Sequence, residues 1–238
     1  MAEAKQSPIF ELHRLGQSVW LDYISRGMMD KGELEEMIRE YDLRGVTSNP
    51  SIFQQAIAEG DAYDEALEKL ASEGVDGDRA FESVAVADIQ RAADLFRGIY
   101  DETGGEDGYV SIEVSPTLAD DTQRTLEDAR RLWKEVDRPN VMIKVPGTEA
   151  GIPAIEQLLS EGVNVNITLL FSLQGYEKVM EAYLRGIERR VEAGQPVDRV
   201  ASVASFFVSR VDTAVDAKLE KLIEAEKDEA KKERIRAL

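Results

Sequence analysis

Six short apolar runs rich in β-branched residues alternate with amphipathic stretches of helical period along this chain. That alternation restricts the fold more than any other feature. The runs cover residues 18–24 (SVWLDYI), 43–48 (LRGVTS), 109–115 (YVSIEVS), 140–146 (NVMIKVP), 163–171 (VNVNITLLF) and 199–208 (RVASVASFFV). Helical patterns fill the intervals at 31–41, 62–72, 81–101, 118–136, 151–161 and 175–193. Strands alternating with helices of this length predict right-handed βαβ units and a parallel sheet buried on both faces. The long helical stretch 54–108 predicts an extra helix between the second and third strands.

Six strands suit a doubly wound open sheet, whereas a (β/α)8 barrel needs eight. The open sheet usually carries a glycine-rich phosphate loop after its first strand. Here the first strand runs into Ile24-Ser25-Arg26-Gly27 instead. The expectation is therefore one α/β domain over residues 1–238, of the (β/α)8 TIM-barrel type with about six βα units. It ends before a seventh strand, in a charged helix over residues 212–238.

Composition narrows the chemistry. A formal net charge of −18 argues against general nucleic-acid binding, which wants a basic face, and against anionic membranes. A phosphate-ester substrate would have to be drawn in by local arginines against that field. Without cysteine there are no disulfides, thiolate nucleophiles or cysteine–zinc sites. His13, the only histidine, reads as a surface or capping residue and leaves a histidine-rich metal site impossible to build. No apolar run approaches the roughly 20 residues of a membrane span, and no signal-peptide core opens the sequence, so the expected location is cytoplasmic.

Nearly every apolar run carries polar side chains near its C-terminal end: Asp22, Asn49, Glu113, Lys144, Asn166 with Thr168, and Ser205. In parallel barrels these ends converge on the active site. A buried strand gains nothing from a lysine or carboxylate unless it is paired or solvated. Lys144, inside Val141-Met142-Ile143-Lys144-Val145-Pro146, is the sharpest case. Burial disfavours the charged form of a lysine, and only the neutral amine attacks a carbonyl. The competing reading is a structural ion pair with Glu113. Glu113 and Asp22 are the two carboxylates able to divide acid–base work, although Asp22 could instead cap the turn at 25–30. Asn49, Asn166 and Thr168 could hold sugar hydroxyls, or bond locally at turns. Arg210 suits a phosphate clamp because a guanidinium grips phosphate bidentately; otherwise it pairs on the surface with Asp212 or Asp216. Trp20 and Trp133 read as packing residues.

The segments GQSVWLDYISRG, GVTSNPSIF, YVSIEVSP, VMIKVPGTEAG, VNVNITLLFS and ASFFVSRVD resemble those of the transaldolases, in their long bacterial form, over residues 12–222. GVTSNPS and IKVPGT also occur in related fructose-6-phosphate aldolases. The resemblance implies a Schiff base on Lys144, with Glu113 acting through a water that Thr168 places. It implies that Asp22 takes the proton from the C4 hydroxyl as the C3–C4 bond breaks. Asn49 and Asn166 would hold the dihydroxyacetone unit, Ser205 and Phe207 would line the channel, and Arg210 would bind phosphate. No metal or organic cofactor is implied. The substrates would be sedoheptulose 7-phosphate, fructose 6-phosphate and their aldose-phosphate partners, in the pentose phosphate pathway. Such enzymes continue through a seventh and eighth strand, which nothing after Arg234-Ile235-Arg236-Ala237-Leu238 supplies. Two alternatives stand beside transfer: an aldolase that releases the three-carbon unit to water, and an inactive truncated remnant. Oligomeric state is not legible.

Overall fold

The computed structural model describes residues 8–237; the ends of the expected 1–238 domain, residues 1–7 and 238, lie outside the described residues. Six parallel strands form one sheet in chain order, curved into a half-barrel. They are β1 (Trp20–Leu21), β2 (Gly45–Val46), β3 (Tyr109–Glu113), β4 (Val141–Pro146), β5 (Val165–Leu170) and β6 (Ser202–Phe206). Each of the six sequence runs therefore contains a strand, as the periodicity requires.

The first two strands are much shorter than their apolar runs. Their ladder consists of Trp20 opposite Gly45 and Leu21 opposite Val46, extended by Thr47 N–H donating to the Leu21 carbonyl at 2.9 Å. Beyond that point each chain turns into a helix. Ser25 caps the helix Arg26–Asp30, its hydroxyl accepting from Met28 N–H. Asn49 caps Pro50–Ala58, and Pro50 has no N–H with which to continue a strand. Both helices are extra to the periodicity reading. The connection from β2 to β3 thus holds three helices, Pro50–Ala58, Asp64–Ser72 and Gly77–Glu102. The charged tail is two helices, Val208–Ala225 and Glu229–Arg236, because Asp228 caps a new start through the N–H groups of Ala230 and Lys231. His13 lies exposed in the last turn of the helix Pro8–Arg14.

Strand periodicity divides the sheet between two environments. Val110, Ile112, Ile143, Val145, Val165 and Ile167 pack into the main core against the helical layer. The alternate residues face the inside of the curve. At the lower end of that inner face Tyr109 and Met142 form a small cluster with Trp20 and Val203. The Trp20 indole lies so close over Gly45 that a Cβ there would sit 2.6 Å from the ring. Trp20 is thus a packing residue, as expected, and so is Trp133, partly buried against the main core.

Two glycines make this packing testable. A Cβ at Gly151 would fall 1.9 Å from the Pro146 carbonyl oxygen at the end of β4, a backbone atom that cannot move aside. A Cβ at Gly98, exposed within Gly77–Glu102, would meet nothing within 4 Å. Gly151→Ala should cost at least about 2 kcal/mol, whereas Gly98→Ala should gain roughly 0.5–1 kcal/mol from helix propensity. Melting temperatures shifting in the same direction for both variants would contradict this packing.

Candidate active site

The parallel register brings three polar residues into one row. Glu113 on β3 is the Cα partner of Lys144 on β4, and Lys144 is the partner of Asn166 on β5. All three lie on the inner face: Glu113 ends β3, Lys144 stands two residues before the end of β4, and Asn166 is the second residue of β5. Lys144 is only 5% exposed. Its Nζ donates to the Ser48 carbonyl at 3.1 Å and stands 3.5 Å from Glu113 Oε2. A buried ammonium without such partners would be strongly unfavourable, and the pair offsets much of that cost. The ion pair with Glu113, given above as the competing reading of Lys144, is therefore formed.

Burial pushes the Glu113 carboxyl above its ordinary value; the Lys144 charge opposes this, and Asp22 nearby adds to the rise. Asp22 itself is exposed, just past the end of β1. It does not cap the following turn, because the Ser25 hydroxyl holds that position. Asp22 is free to face the same space as Glu113.

The asparagines differ. Asn166 is buried, and both ends of its amide are held: Nδ2 donates to Ser111 Oγ at 2.9 Å, and Oδ1 accepts from Ser205 Oγ at 2.8 Å. That fixes the orientation of the amide and leaves one N–H and one lone pair for a ligand. Asn49 makes the local bond foreseen for it, with Oδ1 accepting from Ile52 N–H at 3.0 Å. Thr168 is buried two residues beyond Asn166, on the same face of β5.

Phe207 and Arg210 sit at the start of the helix after β6. The Arg210 guanidinium lies 4.4 Å from the centre of the Phe207 ring. Among the described residues Arg210 makes no salt bridge, so the expected alternative pairing with Asp212 or Asp216 is not formed. Among the described residues no hydrogen bond or ion pair joins Arg210 to Glu113, Lys144 or Asn166.

Inside the curve of the sheet is a cavity of about 420 Å³, with Thr47, Asn166 and Ser205 on its wall and Trp20, Tyr109 and Met142 at its lower end. The Thr47 hydroxyl is buried and has no protein partner. A second cavity, of about 330 Å³, approaches Asn49 and Glu113 from between the helices Pro50–Ala58 and Gly77–Glu102. Among the described residues no group of three or more His, Cys, Asp or Glu side chains is arranged to hold a metal ion.

Two participants escape sequence reasoning. Ser111 lies two residues before Glu113, so strand period alone places it on the same face; a serine in an apolar run was the available signal. Ser48 acts through its backbone carbonyl, while its hydroxyl donates to the Ser111 carbonyl at 2.7 Å. No side-chain pattern announces a carbonyl's role.

A raised native pKa means that Glu113 holds its proton more tightly folded than unfolded. Its contribution to stability is full below the unfolded value and is lost as pH rises through the folded one. Side-chain carboxyl ¹³C NMR should find the Glu113 midpoint above that of an ordinary glutamate. It should move higher still in Lys144→Met, which removes the opposing charge, and lower in Asp22→Asn. A midpoint at or below the ordinary value would contradict the geometry.

Known proteins of similar sequence identify the family of this chain. The sequence profile of the family described as Transaldolase/Fructose-6-phosphate aldolase matches residues 19–237. A transaldolase of Thermobifida fusca is 52% identical over 216 residues, which is 91% of this chain and 59% of the relative. Transaldolase 1 of Streptomyces coelicolor is 51% identical, with 92% and 57% covered. A transaldolase of Frankia alni is 49% identical, with 91% and 58% covered. The chain thus spans somewhat under three-fifths of the length of these relatives. With the profile matched across nearly the whole of it, this chain belongs to the transaldolase/fructose-6-phosphate aldolase family.

Proposed function

We propose that this chain carries the chemistry of a transaldolase, moving a dihydroxyacetone unit from a ketose phosphate to an aldose phosphate through a Schiff base on Lys144. The observation that carries the reading is the row of Glu113, Lys144 and Asn166 across three adjoining strands, with Lys144 and Asn166 buried. Relatives named transaldolase support transfer over simple release of the three-carbon unit.

In this reading the Lys144 amine adds to the C2 carbonyl of sedoheptulose 7-phosphate or fructose 6-phosphate. A carbinolamine forms and loses water to give an iminium, and Glu113, with its raised affinity for a proton, shuttles protons through a water placed by Thr168. The iminium is an electron sink for the C3–C4 bond. Asp22 accepts the proton of the C4 hydroxyl as that bond breaks, and the first aldose leaves. The enamine carbon then attacks the acceptor aldehyde, and hydrolysis frees Lys144. Asn49 and Asn166 hold the hydroxyls of the retained unit, with Asn166 locked by Ser111 and Ser205. Phe207 lines the entrance, and Arg210 receives the phosphate. No step needs a metal or organic cofactor. The proposed partners are sugar phosphates of the pentose phosphate pathway.

The test is borohydride trapping. The 238-residue chain is incubated with fructose 6-phosphate, reduced, and the adduct located by mass spectrometry. A three-carbon adduct on Lys144 is expected, and Lys144→Met should lose it together with transfer, on the order of a thousandfold or more. An adduct on another lysine, or none in a folded sample, would overturn the proposal. Turnover that requires an aldose-phosphate acceptor separates transfer from release.

A further inference from the structure

The end of β5 contains the least comfortable backbone in the region of the site. Leu169 adopts φ +62°, a left-handed conformation that a branched side chain takes up only at a cost. The pairing of β5 with β6 slips at this point, passing from Ile167 opposite Ala204 to Leu170 opposite Phe206. Such a bulge inserts one residue and reverses the alternation beyond it. Its effect is visible in burial. Ile167 and Leu170, three residues apart, both enter the outer core, while Leu169 between them is turned out to solvent. In an unbroken strand, Phe171 would share the outward face with Ile167 and Leu169. With the bulge, it falls on the inner side instead.

There it meets Phe207. The two rings stack with centroids 5.3 Å apart and planes 18° from parallel, within the range of favourable offset aromatic pairs. Phe207 is fixed from the other side as well: its N–H donates to the Leu170 carbonyl at 3.0 Å. The Arg210 guanidinium rests on the same ring at 4.4 Å. Phe171 and Arg210 therefore both rest against the Phe207 ring. Phe171 remains 47% exposed, so core packing does not account for its placement.

We propose that Phe171 is a positioning residue for Arg210: it braces the Phe207 ring as a platform, and the bulge at Leu169 delivers it there. A long guanidinium side chain otherwise loses rotamer freedom when it grips an anion, and a braced platform meets part of that loss before the ligand arrives. The residue thus favours donors that carry a terminal phosphate over unphosphorylated ketoses. This rests on the reading of Arg210 as the phosphate contact.

The experiment compares borohydride-trapping rates for fructose 6-phosphate and fructose on the full chain, together with the NMR shift of the Arg210 Nε–H, assigned with Arg210→Lys. Phe171→Ala should lower the rate ratio of fructose 6-phosphate to fructose about threefold, and move the Arg210 Nε–H toward the position of a free arginine. Phe171→Tyr should restore both. Arg210→Ala should lower the ratio by roughly tenfold or more. Phe171→Leu, which keeps apolar volume without a ring, serves if the alanine variant does not fold. A ratio that falls in Arg210→Ala but not in Phe171→Ala, with the Nε–H unmoved, overturns the positioning role. A ratio unchanged by Arg210→Ala overturns the phosphate reading instead, and no adduct with either sugar overturns the Schiff-base reading; in both cases the Nε–H shift decides the positioning role alone.

Discussion

The parallel register between β3, β4 and β5 is the constraint on which everything at the strand ends depends. Side chains alternate faces along a strand, so a slip of one residue would carry Lys144 from the inner face into the hydrophobic layer beneath the helices. It would also replace Glu113 with Ile112 or Val114 as its neighbour. Register here is set by the outer core: Val110, Ile112, Ile143, Val145, Val165 and Ile167 must all face the helices at once. The polar row is held in place by apolar residues on the opposite side of the sheet, which never touch it.

The two halves of the inner face then divide the work. The lower half is filled by Trp20, Tyr109, Met142 and Val203, with Trp20 against Gly45 leaving no room for a larger residue. The upper half holds Ser111, Lys144, Asn166 and Thr168, all buried, beside Ser205. A buried polar cluster of this kind contributes less to stability than an apolar filling of equal volume, and removing one member costs more than the member was worth. Its retention is understandable where each group must be held in one orientation for a ligand. Asn166 shows this most directly, since Ser111 and Ser205 fix its amide before anything binds.

Strand and helix alternation was legible because it follows from burial on two faces, and all six strands fall within their apolar runs. The extent of β1 and β2 was not, because hydrophobicity cannot mark where a capping residue captures the chain; Ser25 and Asn49 do so a few residues beyond each ladder. The tail broke at Asp228 for the same reason. At the candidate site, the pairing of Lys144 with Glu113 was readable from two polar residues in apolar runs. The contributions of Ser48, through its carbonyl, and of the bulge at Leu169 were not. Both are properties of the backbone, and the sequence around them, Thr47-Ser48-Asn49 and Thr168-Leu169-Leu170, fits an ordinary strand end.

The bulge also bears on how the proposed chemistry is divided in space. Before it, β5 presents Asn166 and Thr168 in step with Lys144, where a carbonyl carbon would react. After it, the chain presents Phe171 and, through Phe207, Arg210, which among the described residues has no hydrogen bond or ion pair to Glu113, Lys144 or Asn166. A regular strand offers the inner face only every second residue and only along one line. Turning a reactive centre and an anion contact toward one ligand from the same strand end requires a break in that line, and Leu169 is where the break occurs. The strain at Leu169 is then tolerable because Ile167 and Leu170 on either side are buried in the outer core, with Phe206 packed against it, and together they over-determine it.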